Sequence, residues 1–257
     1  MLYLDKYAYS NALRSVHPSE KFLFAMATMI ICLAANSLVI SFVVILLMAG
    51  VSILMGKIPL CFYFKLMLIP AAFLLVGTTT IAINIADNLS NLLWGWQIFN
   101  IAMGVTNQSL HLALKLLLRS LGAVSCLYFL SLTTPLVEII SILRKLKFPE
   151  LFLDLMSLVY RFLFVLLDTA EKIHISQTVR LGYADIRKGY RSMGQLVVSL
   201  FLHSYYRSMD LYTALEARGY NGKFKVLEQE YQHSKKNLFI IFCIEILLIL
   251  IAGGRYR

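Results

Sequence analysis

Two stretches of this chain end in nearly the same way, as Val179-Arg180-Leu181-Gly182-Tyr183 and as Ala217-Arg218-Gly219-Tyr220. Each sets an arginine in the last turn of a basic helical segment, with a glycine directly after it or one residue on. Glycine tolerates the left-handed conformation that follows many helices, so both stretches read as helix stops. A cation beside the final carbonyls is favoured by the helix dipole, which is one sufficient reason for an arginine there. Spacing supplies another. About seven residues make two helical turns, so Arg218 projects over Leu211, with Ala214 and Leu215 between, and Arg180 over Ile173. A solvating arginine more often takes the opposite, polar face. Charge-assisted binding of an acidic partner is the chemistry these residues can do, and Arg180, Gly182, Ala217, Arg218 and Gly219 form the candidate set.

Two more charges, Lys115 and Arg119, stand one turn apart inside an apolar run, and charges within a membrane span mark functional sites by default. For Lys115 a simpler reading is open, in which its ammonium snorkels to the outer interface. Arg119 is expected to lie deeper. Beyond these the chemistry thins out. HExxH, Walker A, GxGxxG and paired-aspartate prenyl-transfer patterns are missing from the sequence. The histidines at 17, 111, 174, 203 and 233 lack the spacing of metal ligands, and Cys32, Cys61, Cys126 and Cys243 form no CxxC pair. No catalytic, cofactor-binding or metal-binding residue is expected, and the chain reads as a non-enzyme.

The elements that must position these residues follow from composition. At 59% hydrophobic, 15% charged and a mean hydropathy of +0.73, the chain reads as an integral membrane protein. Its formal net charge is +10, and most basic residues fall between Arg144 and Lys236, which marks that region as cytoplasmic. In a chain that spans a bilayer, such a positive pole suits an anionic leaflet or an acidic protein better than nucleic acid. Met1–Lys21 is too mixed and charged for a signal peptide and reads as an interfacial segment. Phe22–Gly56 carries no charge; as one helix it would be roughly 50 Å long, so two helices meeting near Asn36-Ser37 are expected. A loop marked by Lys57 and Lys65 leads to a third span over Leu66–Ala86. Asn-rich Asp87–Asn107 lies outside, and Leu110–Leu132 is the fourth span.

Thr133-Thr134-Pro135 reads as an N-cap followed by Pro at N1, opening a helix that runs to Lys147. Leu151–Leu167 is apolar enough to cross, but crossing there would put the basic segment Glu171–Lys236 outside, against the positive-inside bias. Glu150–Tyr183 therefore reads as a long helix that does not span. A second runs from Gln195 to Arg218, packing through Val197, Leu200, Phe201, Ser204, Ser208, Leu211 and Leu215, with Arg207 and Asp210 able to pair on another face. Asn237–Ala252 is a last span with Glu245 inside it. The expected fold is an all-α integral membrane protein of about five transmembrane helices plus a cytoplasmic module of long helices. Residues 1–132 form a membrane domain, 133–236 the cytoplasmic region, and 237–257 the last span and tail.

With these residues in view, the chain resembles the T component of energy-coupling factor (ECF) transporters, the CbiQ/EcfT family, over nearly its full length. Members follow a multi-span membrane part with coupling helices whose ends carry two Ala-Arg-Gly signatures. The second is intact at Ala217-Arg218-Gly219. In the first, aligning Gly182-Tyr183 with Gly219-Tyr220 puts Leu181 in the arginine's place and Arg180 one residue early. Thr134-Pro135, the Pro149-led helix with Arg161, and the opening Asp5-Lys6-Tyr7-Ala8, Asn11, Leu13-Arg14 and Pro18-Ser19-Glu20-Lys21 are also similar, the opening most of all to the cobalt-type members. The resemblance implies a coupling subunit of an ABC-type importer in a bacterial or archaeal cell membrane. Its partners would be two ABC-type ATPase subunits, which bind the ATP, and a separate membrane substrate-capture (S) subunit for cobalt, nickel or a vitamin. The rival reading is a self-sufficient secondary transporter or channel using Lys115, Arg119 and Glu245, which predicts an internal repeat; none is visible.

Overall fold

The computed structural model describes residues 3–35, 37–86, 92–98, 101–220 and 235–253. It is predominantly helical and falls into two compact units. One runs to Pro135 and takes in the last helix; the other begins at Leu136.

The first unit opens with α1 (Tyr3–Ser10) and a short 3-10 turn, Ala12–Ser15. α2 (Pro18–Ala34) starts where its sequence can start a helix: Pro18 sits at N1, and the His17 Nδ1 accepts the Ser19 N–H at 3.0 Å. α3 (Leu38–Gly50) continues as a π-helical turn, Val51–Met55, and the chain reverses after Gly56 with Lys57 at φ 53°. α4 (Leu60–Ala82) accommodates Pro70, and α5 (Asn107–Thr133) is opened by a capping box between Thr106 and Ser109. The closing helix, α9 (Lys235–Gly253), packs on α2 and α3. Leu38–Met55, α4 and α5 are each long and apolar enough to cross a membrane, and α2, with 17 residues, packs against α5 and α9 beside them. Small residues let the helices approach closely. A Cβ added at Gly122 of α5 would stand 2.6 Å from the Cys32 Sγ and 3.5 Å from the Ser41 carbonyl oxygen.

Some boundaries differ from those expected. α4 begins at Leu60, so Lys65 lies in the helix rather than marking a loop. The helix stops at Ala82, and the last residues of the expected third span join part of the segment expected outside in a three-stranded antiparallel sheet. Its strands are β1 (Ile83–Ala86), β2 (Leu92–Ile98) and β3 (Ile101–Thr106), in the order β1-β3-β2. Apolar β-branched residues in Ile83–Ala86 and Ile101–Thr106 suit strands, a preference masked by reading the stretch for its asparagines. Thr133 and Thr134 finish α5 rather than cap the next helix. The Thr133 hydroxyl donates back to the Phe129 carbonyl at 2.7 Å, and the Thr134 N–H donates to the Leu130 carbonyl.

The second unit holds three helices: α6 (Leu136–Lys145), α7 (Glu150–Val179) and α8 (Ile186–Ala217). α8 starts nine residues before the expected Gln195, because Gly189 and Gly194 are carried inside the helix. α6 turns into α7 through Lys147 at φ 61° and the Phe148-Pro149 break. The corner is fastened by Arg144, whose Nη2 donates to Asp154 Oδ1 at 3.0 Å, with the aspartate side chain only 6% exposed. Asp154 falls within the apolar run Leu151–Leu167, and it is the anchor of the corner. Asp154→Ala should therefore lower thermal stability by about 2 kcal/mol, the order of a charged hydrogen bond lost at a buried site. A melting temperature equal to wild type would remove that role.

α8 runs back alongside α7, with the Gln177 Nε2 donating to the Ser192 carbonyl at 2.9 Å and the Arg207 guanidinium 5.9 Å from the centre of the Phe162 ring. Leu200, Ser204, Leu211 and Leu215 are half-buried as the spacing predicted, whereas Val197 and Phe201 are exposed. Ser192 and Leu196 take the buried positions instead, since α8 turns its 192–196–200 stripe towards α7. Arg207 is drawn to Phe162, and no contact with Asp210 is found among the described residues.

Candidate functional site: two arginine-capped helix ends

The ends of α7 and α8 have the same architecture. At the first, the Gly182 N–H donates to the Gln177 carbonyl at 2.8 Å and the Leu181 N–H to the Thr178 carbonyl at 3.0 Å. At the second, the Tyr220 N–H donates to the Leu215 carbonyl at 3.0 Å and the Gly219 N–H to the Glu216 carbonyl at 2.9 Å. Both are Schellman motifs, which satisfy the orphan carbonyls of a helix end through a residue in the left-handed conformation. That residue is Leu181, at φ 58°, in the first and Gly219, at φ 70°, in the second.

The register between the two signatures follows directly. Arg180 and Arg218 are both the residue at the cap, with φ −88°, ψ 17° and φ −93°, ψ 8° respectively. Counting from the glycines displaces Arg180 by one position; counting from the caps removes the displacement. The one-residue offset of Arg180 expected from the glycine alignment is therefore corrected: both arginines hold the same cap position. The expectation that glycine supplies the left-handed residue at both ends is also corrected, since Leu181 does so at the first. A leucine there costs about 1 kcal/mol relative to glycine.

Gly182 has a different reason to be glycine. A Cβ on it would stand 2.7 Å from the Ser192 Oγ and 2.8 Å from the Gln177 carbonyl oxygen. The Ser192 hydroxyl donates to the Gly182 carbonyl at 2.9 Å, and the Tyr183 hydroxyl to Gln177 Oε1 at 2.8 Å. The first cap is thus pinned against the start of α8, and space rather than φ fixes its glycine. Sequence comparison of the two endings could not separate these two uses of glycine.

Arg180, Leu181, Ala217, Arg218 and Gly219 are all exposed. The two arginines are not brought together: Arg180 closes α7 beside the start of α8, and Arg218 lies about 48 Å farther along, at α8's other end. Near Arg218, a hydrogen bond to Glu216 and that carboxylate's charge push the Tyr212 phenol above its ordinary pKa. Between the arginines, α7 and α8 enclose an open apolar groove of about 540 Å³ lined by Leu155, Val159, Phe162, Leu166, Leu200 and Leu211.

Sequence reasoning missed a second feature, the anchoring of the end of α5. Lys21, 4% exposed, donates from Nζ to the Thr133 carbonyl at 3.0 Å. The Asn11 Nδ2 lies 2.8 Å from the Ala8 carbonyl oxygen and 3.1 Å from that of Leu132. Glu20, also buried, accepts from the Asn237 Nδ2 of α9 at 3.2 Å. Two segments that the family resemblance singled out, the charged opening and Thr134-Pro135, therefore meet where the first unit ends. Their juxtaposition across more than a hundred residues carries no local sequence signal.

The Cys32 Sγ contacts the Arg119 carbonyl oxygen at 3.8 Å, so the middle of α5 lies beside the last turn of α2. Lys115 is a turn farther out, beside a cavity. Glu245 belongs to neither: its Oε1 is 2.7 Å from the Thr28 Oγ1, tying α9 to α2. Among the described residues no ion pair links Lys115, Arg119 and Glu245.

No group of His, Cys, Asp and Glu among the described residues is arranged to hold a metal ion. The family described as CbiQ, cobalt transport protein, matches residues 9–230. The chain is 34% identical over 221 residues to the cobalt transport protein CbiQ of Salmonella typhimurium, covering 86% of this chain and 98% of that one. It is 31% identical over 255 residues to an uncharacterized protein of Methanocaldococcus jannaschii, covering 97% and 92%. The energy-coupling factor transporter transmembrane protein EcfT of Exiguobacterium sibiricum is 27% identical over 251 residues, covering 91% and 92%. With its all-α membrane fold, the chain belongs to the CbiQ/EcfT family of energy-coupling factor transmembrane proteins.

Proposed function

We propose that this protein is the coupling subunit of an ATP-driven importer for cobalt ion, joining two ABC-type ATPases to a separate membrane capture subunit. The observation that carries the reading is the pair of exposed arginines on matched Schellman caps, separated by about the length of α8. Identical geometry at two distant points suits two copies of one kind of partner, each offering an acidic groove. ATP is held and cleaved by those partners, and this chain's residues bind and transmit. Cobalt as cargo is supported by the names of the relatives.

The orientation follows from charge. The basic second unit lies in the cytoplasm, α5 rises from the outer face, and the carbonyl end of α5 reaches the inner face beside Lys21. Motion of α7 and α8 reaches the membrane helices through the chain at Pro135–Leu136, where Asn11 and Lys21 grip the end of α5.

Purification of the tagged chain from its native membrane in mild detergent should bring down two ATPase polypeptides and a small membrane protein. The reconstituted assembly should then take up radiolabelled cobalt only with hydrolysable ATP. Uptake of nickel or a vitamin instead would change the cargo and keep the coupling role. Transport by the chain alone would overturn both.

A further inference from the structure

We propose that the outer end of α5 binds the phosphate headgroup of an anionic phospholipid, through Lys115 and His111 with Arg119 one turn deeper. This rests on the orientation given under Proposed function. His111, Lys115 and Arg119 are spaced i, i+4, i+8, which places them along one stripe of the helix. The first two line a cavity of about 410 Å³, together with Gln108, Ser109 and Thr106 near the start of the helix. It is thus walled by two potential cations and several hydrogen-bonding side chains, with Ile81 and Leu112 as its apolar side.

Depth fixes what such a cavity meets. The Arg119 carbonyl lies beside Cys32 in the last turn of α2. Counted from Thr133, the end of α5 placed at the inner face, Lys115 is about 27 Å and His111 about 33 Å along the helix, around the outer limit of a hydrocarbon core of about 30 Å. Cations on the outer side run against the positive-inside bias, and no other Lys or Arg occurs between Lys65 and Lys115. Snorkelling brings the ammonium to the headgroups; it does not account for a cavity.

The guanidinium adds a separate observation. The Arg119 Nε is shut off from solvent and has no acceptor among the described residues, and no acidic partner for Lys115 or Arg119 is found among them. Arg119 does not line the cavity; a buried donor on a permanent cation one turn below it calls for an anionic acceptor, which a phosphate held at the cavity's inner end would supply. Free phosphate has the same headgroup chemistry but no acyl chains for the exposed apolar face of α4, where Leu68, Ile69, Phe73 and Val76 point outwards.

The test uses the full-length chain in mild detergent, titrated with phosphatidylglycerol or phosphatidylcholine and read by native mass spectrometry. Wild type should retain phosphatidylglycerol at least about tenfold more tightly than phosphatidylcholine, the scale of one charge-assisted contact. Lys115→Gln should remove that preference, while Lys65→Gln at the inner end of α4 should keep it. Arg119→Gln should act like Lys115→Gln; Lys115, which lines the cavity, keeps the test decisive if the Arg119 variant fails to fold. Equal retention by wild type and Lys115→Gln overturns the proposal. So does displacement of the lipid by millimolar inorganic phosphate, which would make the site one for a free anion. Retained lipid with loss of the co-purifying membrane partner in Lys115→Gln would make the stripe a protein contact, and also overturns it. Labelling of Gln108→Cys only from the cytoplasmic side would overturn the orientation and with it the outer-leaflet assignment, whatever the lipid result.

Discussion

Arg180→Ala and Arg218→Ala should weaken capture of the ATPase pair to the same degree. Both arginines occupy the cap residue of a Schellman motif, with backbone angles within about 10° of each other, so each side chain leaves its helix in the same direction relative to the axis. If each enters an acidic groove and is desolvated there, removing one partner of the pair costs roughly 2–5 kcal/mol. A rim contact left in water would cost well under about 1 kcal/mol. The measurement is pull-down of the ATPases by each variant, read alongside cobalt uptake. Leu181→Gly separates the side chain's role from that of the cap. It relieves about 1 kcal/mol of left-handed strain at an exposed position and should leave capture intact while raising thermal stability. A large loss from Arg218→Ala with little from Arg180→Ala would mean that equal caps do not make equal contacts. That outcome would restore the asymmetry that the glycine positions suggest. No loss from either would remove the coupling role from both.

The positions of the arginines show what could be read in advance. The hydropathy of the spans, the Arg-Gly endings and the basic stretch after Arg144 are all local or compositional, and the membrane class and long coupling helices follow from them. The register of the two endings was not legible, because glycine serves two purposes in them. At 219 it provides a left-handed φ, and at 182 it makes room for Ser192, a residue of the next helix. Only the partner element distinguishes the two. The start of α8 was missed for a related reason: Gly189 and Gly194 weaken the helical signal locally, and tertiary packing of Ser192 and Leu196 outweighs roughly 1 kcal/mol per glycine. Asp154 looked anomalous in an apolar run until Arg144, across the Phe148-Pro149 break, supplied its partner.

Replacing Lys21 by methionine should separate ATPase capture from transport. Thr133 is the last residue of α5, and the final carbonyls of a helix have no donors within it. Here the donors come from far back in the chain: Lys21 reaches the Thr133 carbonyl and Asn11 that of Leu132. The lysine is buried, so its hydrogen bond is shielded from competing water, and the positive charge stands at the negative end of the helix dipole. Methionine keeps much of the stem but removes both the charge and the donor, leaving a buried carbonyl less well satisfied. The cost should be about 3 kcal/mol, as for other buried charged partners that are removed singly. α6 begins just after Pro135, so under the proposed coupling role this connection is where displacement of the second unit would enter the first. The arginine caps belong to that second unit and do not depend on Lys21 for their geometry. The Lys21→Met variant should thus still pull down the ATPases while its thermal transition falls and its ATP-dependent cobalt uptake drops at least tenfold, on the order of the lost interaction. Lys21→Arg, which keeps the charge, should retain part of the uptake. Wild-type uptake by Lys21→Met would show that the grip on Thr133 has no part in transmission, and loss of ATPase capture would show that the two units are not separable in this way.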